Sequence, residues 1–233
     1  MYCCKDPEGS RCKSPVSFRQ PEGDKGVDRF RGPLFSGASP GKSGFVRLFV
    51  ALAIDQKIKD ALGAAADELR KTRAPVRWVK PDGIHLTLKF LGETPGDRVE
   101  SMKSVLERIS SRVYPFPITV SGMGAFPALS DPRIIWAGVL EPSGALEKVW
   151  GALEGEAAAM GWERERRGFH PHVTIGRVRG NINLKQLASA VRNMQNSVWG
   201  EQEPKGVTLY HSHLGVGGAK YEVIRFFPFL GGI

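Results

Sequence analysis

The chain has 233 residues, 41% of them hydrophobic, enough to bury a core in one large domain or two small lobes without covalent staples. Its formal charge of +9 raises the local concentration of polyanions, which fits a nucleic-acid partner and equally a device for solubility. All three cysteines, Cys3, Cys4 and Cys12, precede the body of the chain, which excludes a disulfide framework there and points to a reducing cytoplasm.

Residues 1–44 are rich in Gly, Pro, Ser and alternating charge, show no periodicity and offer little to bury, so a disordered N-terminal extension is expected. Eight basic and five acidic side chains leave it +3 and the remainder +6. Within it, "GASPGKSG" from Gly37 to Gly44 has the wrong glycine spacing for a phosphate loop, and the run after Gly44 is strand-like rather than helical. The apolar run "FVRLFVALAI", Phe45 to Ile54, falls well short of the ~20 residues of a membrane span. The first thirty residues also lack the apolar centre of a secretory signal, so a soluble protein is expected.

From Phe45 the pattern alternates. A β-rich run over 45–54 is followed by Asp55 as a helix cap and an apolar stripe of Ile58, Leu62, Ala65 and Leu69, which predicts a helix over 56–71. A strand is expected over 84–91, a helix near 98–113 and a strand around 116–122. The second half repeats the order, with a strand over 133–140, a helix over 143–160, a strand over 171–178, a helix over 184–194 and a strand over 207–214. A further strand is expected over 221–229. The spacing repeats as well: His85 lies 38 positions after Arg47, and His172 lies 39 after Arg133. Two copies of one β-α-β-α-β unit account for this, spanning about 45–125 and 130–233.

Each copy carries a His-x-Thr sequence on a predicted strand, "HLTLKFLG" from His85 and "HVTIGR" from His172. Residues two apart share a strand face, so His85 and Thr87 point together, as do His172 and Thr174. Leu86, Leu88, Phe90, Val173 and Ile175 then face a core. A pseudo-twofold axis would bring both pairs to one cleft. Cleaving a phosphodiester with water needs a base and an acid, and histidine, with an unperturbed pKa near 6.5, serves as either. Threonine hydroxyls can donate to the non-bridging phosphate oxygens.

Metal ligation is the rival for the histidines, because His170 and His172, and His211 and His213, each form a His-x-His pair. No acid lies inside either stretch, so no metal site is expected, and His170 is read as a positioning or surface residue. Arg133 and Arg177 stay open between phosphate neutralisation and a salt bridge. Strand parity turns Arg177 away from His172 unless Gly176 relaxes the register. Phe49 suits base stacking less well than core packing.

The blocks "RLFVALAI", "HLTLKFLGE", "PRIIWAGV", "FHPHVTIGR" and "LYHSHLGVGGAKYEVI" resemble, in order, the RNA 2′,3′-cyclic phosphodiesterase family, formerly named for 2′-5′ RNA ligase activity, within the 2H phosphoesterase superfamily. The resemblance runs from about Val46 to Phe229. It implies a bilobal α+β fold whose antiparallel sheets line a central cleft. It also implies hydrolysis of RNA 2′,3′-cyclic phosphate ends to 2′-phosphates without metal or other cofactor, and the joining of RNA ends through a 2′-5′ linkage, a reverse transesterification, when a 5′-hydroxyl replaces water. His85 would be the proton donor to the leaving 3′ oxygen and His172 the activator of water. Thr87 and Thr174 would bind phosphate. A cytoplasmic monomer with a dispensable N-terminal stretch is expected, acting on RNA ends or on small cyclic-phosphate nucleotides. The competing expectation is a non-catalytic RNA-binding protein.

Overall fold

The computed structural model describes residues 44–215 and 218–231. The extension expected over 1–44 lies, apart from Gly44, outside the described residues, as do the three cysteines.

The elements follow the alternating pattern. β1 (Phe45–Ala53), α1 (Gln56–Arg70), β2 (Val76–Trp78), β3 (His85–Pro95), α2 (Val99–Ser110) and β4 (Ile118–Ala128) come from the first repeat. β5 (Asp131–Leu140), α3 (Ala145–Ala159), β6 (His172–Val178), α4 (Leu184–Asn193), β7 (Val198–Gln202), β8 (Gly206–Gly215) and β9 (Gly218–Pro228) complete the chain. β2 and β7 were not expected. Asp55 does occupy the position before α1, but its side chain makes no cap hydrogen bond. Its backbone N–H instead donates to Oε1 of Gln202 at 2.7 Å, and Nε2 of Gln202 donates to the Ala53 carbonyl at 2.9 Å. A side chain on β7 therefore holds the β1–α1 turn.

All strands join one antiparallel sheet in the order β7-β4-β5-β6-β3-β1-β8-β9, with β2 on β6. The central six strands read the same from both ends. β8-β1-β3 on one side answers β4-β5-β6 on the other, each repeat contributing its first two strands to its own half and its third strand to the other. The fold is α+β with a large antiparallel sheet, as the resemblance implies, and each half of the sheet is woven from both repeats. Among the described residues the strands of the two halves pair at one rung, Leu86 of β3 against Val173 of β6.

One face of that sheet is aliphatic and covered by helices. Leu52, Leu86, Ile135, Val173 and Leu209 are fully buried there. α1 brings Ile58, Leu62, Ala65, Ala66 and Leu69 to it, and α2 brings Met102, Val105, Leu106 and Ile109. Stripes at intervals of three and four residues are what an amphipathic helix needs to pack on a sheet. The other face carries aromatic side chains, Phe49 and Tyr210 among them, beside the polar members of the alternation.

Candidate active site

Leu86 and Val173 both point to the aliphatic face, so their neighbours on each strand point to the opposite one. Carrying the antiparallel register one residue either way sets His85 opposite Thr174 and Thr87 opposite His172. The four side chains form a rectangle with histidines on one diagonal and threonines on the other. Diagonal neighbours in such a ladder lie about 7–8 Å apart, a span that admits one phosphate group between the imidazoles. All four are half-buried, while Leu86 and Val173 are completely so.

Each histidine is held in the same way. His172 Nδ1 donates to the carbonyl of His170 at 2.7 Å, which fixes the tautomer and leaves Nε2 as the acceptor. The ring of His85 bonds to the carbonyl of Gly83, again two residues upstream. His170 thus contributes its backbone, and its own side chain is exposed.

Aromatic walls surround both rings. Phe49 lies 4.9 Å from His85 and stacks at the same distance on Tyr210, while Tyr221 meets His85 edge-on at 5.1 Å. Phe126 meets His172 edge-on at 5.0 Å. Phe49 is buried, but among the cleft-face aromatics and not in the helix-covered core, and it serves as backing for His85. Burial is the main reason that His85 is pushed down to about 4, with the charges of Lys59 and Arg177 adding to it against the Gly83 carbonyl. His172 is also lowered, first by burial and then by the charges of His170 and Arg177, against the His170 carbonyl. Both shifts favour the neutral ring at pH 7.

Simple alternation fails just beyond each His-x-Thr. On β3 the pairing with β1 passes from Ala51–Thr87 to Val50–Lys89, leaving Leu88 without a partner. On β6 the pairing with β5 passes from Trp136–Thr174 to Ile135–Gly176, leaving Ile175 over. Such bulges reverse the parity of the residues after them. Phe90, expected in the core, is 57% exposed and lies beside Phe49, with ring centroids 6.1 Å apart. Arg177 is carried round to the face of His172, where its charge acts on both histidines. Arg77 of β2 sits opposite it across the ladder. Gly176 makes room for β2: a Cβ there would come within 2.7 Å of Val76 Cγ1 and 3.0 Å of Trp78 Cε3. Arg133, by contrast, pairs with Asp131 at 3.6 Å, exposed at the start of β5.

The β3 bulge also sends Lys89 inward. Its Nζ meets Glu154 Oε1 of α3 at 2.7 Å, with both side chains almost wholly buried, and donates to the Glu163 carbonyl at 2.9 Å. Glu154 Oε2 accepts from the Glu165 N–H at 3.0 Å. This pair anchors the segment that leads to His170 and His172. Sequence reading missed it, because Lys89 and Glu154 stand 65 residues apart in elements each assigned by apolar pattern alone.

The family model described as LigT like Phosphoesterase matches residues 52–136. An RNA 2′,3′-cyclic phosphodiesterase of Methanothermobacter thermautotrophicus is 31% identical over 182 residues, 78% of this chain and 98% of the relative. Its counterpart from Archaeoglobus fulgidus is 33% identical, over 78% of this chain and 99% of the relative. Among solved structures, TT0787 of Thermus thermophilus superposes with a TM-score of 0.68 at 25% identity, covering 79% of this chain and 98% of that one. Escherichia coli LigT in its apo form gives a TM-score of 0.64 at 25% identity, covering 80% and 98%.

Proposed function

The chain belongs to the LigT-like phosphoesterases, and from that premise we propose that it opens 2′,3′-cyclic phosphates at RNA ends to leave 2′-phosphomonoesters. The observation that carries the reading is the diagonal placing of His85 and His172 across the β3–β6 rung, with Thr87 and Thr174 on the other diagonal. Relatives at about 31–33% identity bear the name RNA 2′,3′-cyclic phosphodiesterase, and LigT itself has been solved with phosphate and with 3′-AMP.

In this reading His172 takes a proton from water through Nε2, its Nδ1–H being committed to the His170 carbonyl. The resulting hydroxide attacks phosphorus in line with the 3′ oxygen. The P–O3′ bond breaks, and His85, protonated once the cyclic phosphate anion is bound, gives its proton to that oxygen. Thr87 and Thr174 donate to the non-bridging oxygens, and Arg177 offsets the charge that gathers on them. Every proton transfer is made by an imidazole, so no step calls on a metal. With a ribose 5′-hydroxyl in place of water, the same two transfers yield a 2′-5′ linkage, the joining that the name ligase describes.

The test is incubation of the full chain with an oligonucleotide ending in a 2′,3′-cyclic phosphate, in excess EDTA, with identification of the product. The proposal expects turnover to a 2′-phosphate. Salt-sensitive binding without turnover would assign the cleft to RNA recognition alone.

A further inference from the structure

The reverse face of the β8–β9 hairpin carries a second cluster of histidines. Tyr210 and Ser212 of β8 alternate with His211 and His213, and Tyr210 faces the cleft beside Phe49. His211 and His213 therefore share the other face. Glu222 of β9 lies directly across the ladder from His211 and completes the group. The acid whose absence from the His-x-His stretch argued against a metal is supplied by the neighbouring strand.

We propose that His211, His213 and Glu222 form a binding site for a divalent transition ion of the zinc class. One ligand atom from each residue lies within 4.8 Å of the others. The imidazole centroids are 3.8 Å apart, His213 Nε2 is 2.9 Å from Glu222 Oε2, and His211 Nδ1 is 3.9 Å from the same oxygen. Ligands at about 2.0–2.1 Å from a tetrahedral metal stand roughly 3.3 Å from each other, between those two separations. Closing the site requires only small side-chain rotations, since the backbone register already fixes the three Cβ positions. All three groups are accessible, with side chains 24%, 49% and 67% exposed for His211, His213 and Glu222. Two imidazoles and one carboxylate favour zinc, nickel, cobalt or copper over magnesium and calcium, which prefer all-oxygen sites. Lys220 faces His213 across the ladder, and its ammonium opposes a dication.

A bound ion would tie β8 to β9. Tyr221, whose ring meets His85 edge-on, lies next to Glu222 on β9 and points to the opposite face. The ion takes no part in phosphate cleavage, and the proposal stands apart from the proposed activity.

The test is calorimetric titration of zinc sulfate into the full chain after N-ethylmaleimide has blocked Cys3, Cys4 and Cys12. The expected result is one tight equivalent, weakened at least tenfold in His213→Ala and in Glu222→Gln and tightened in Lys220→Ala. Thermal unfolding of the unsubstituted chain is the companion measurement, since an ion that binds only the folded state raises its midpoint. Zinc should raise it and magnesium should not. A blocked chain that takes up no zinc, or zinc binding equally in His213→Ala and Glu222→Gln, overturns the proposal.

Discussion

Leu86 of β3 pairs with Val173 of β6, and among the described residues this is the one ladder pair between the two halves of the sheet. Both side chains are completely buried on the helical side, so the residues flanking them, His85 with Thr87 and His172 with Thr174, must rise together on the other. The placing of the candidate site follows from the burial of two aliphatic residues.

Replacing either histidine by alanine should lower turnover of a 2′,3′-cyclic phosphate by roughly 10²–10⁴, the worth of a positioned proton transfer. Thr87→Val or Thr174→Val should cost about 10², in kcat more than in KM, because the donors serve the transition state. Steady-state kinetics, with circular dichroism to confirm folding, reads this out. Full activity in either threonine variant would remove the hydroxyls from the account.

The pH dependence follows from burial. His85 is pushed down to about 4 and His172 is also lowered, so in the free protein the form with one proton on the pair is most populated below pH 6.5. The kcat/KM profile should therefore peak on the acid side of 6.5 and fall as pH rises. Bound phosphate anion favours the imidazolium, so the kcat profile should lie at higher pH. Stability runs the other way. The unfolded chain binds a proton at His85 more tightly than the folded one, so stability is full above pH 6.5 and is lost as pH falls toward 4, by about 3 kcal/mol for His85. Urea unfolding of His85→Gln should show a flatter pH dependence across that window.

Burial is the main cause that lowers both imidazoles and Arg177 adds to it; the arginine has no carboxylate partner among the described residues. Arg177→Gln should let both titrations move up, shifting the acid limb of kcat/KM to higher pH. It should also weaken inhibition by inorganic phosphate roughly 10–100-fold, the range of a charge-assisted hydrogen bond. An unchanged phosphate inhibition constant would return Arg177 to a purely structural role.

Lys89 and Glu154 form a buried pair, so removing one partner strands a charge. Lys89→Met should cost roughly 3–5 kcal/mol in denaturant unfolding, and Lys89→Met with Glu154→Leu should recover much of it. The double variant would still leave the Glu165 N–H and Glu163 carbonyl without their partners, so activity should stay low while stability returns. A Lys89→Met variant as stable as the unsubstituted chain would show that water relieves the charge.

Much of the architecture is legible in the sequence. The helices and the longer strands declare themselves because an apolar stripe or an alternating run is long enough to carry a period. β2 and β7, with three and five residues, are not. Parity gives the shared face of His85 and Thr87 but fails after the bulges at Leu88 and Ile175, whose cause lies in the pairing with β1 and β5 and not in the local sequence. Hence Phe90 emerges where a core residue was expected, and Arg177 joins the site. The exchange of β4 and β8 between halves is equally hidden, because the repeat fixes the order of the elements but not which edge receives the third strand.

The central claim is that His85 gives a proton to the 3′ oxygen while His172 takes one from water. A cyclic substrate with sulfur in place of the 3′ bridging oxygen tests it most directly, since a thiolate leaves without being protonated. On that substrate His85→Ala should regain turnover close to the unsubstituted protein while His172→Ala stays inactive. Equal rescue of both variants, or of neither, would contradict the division of labour between the two rings.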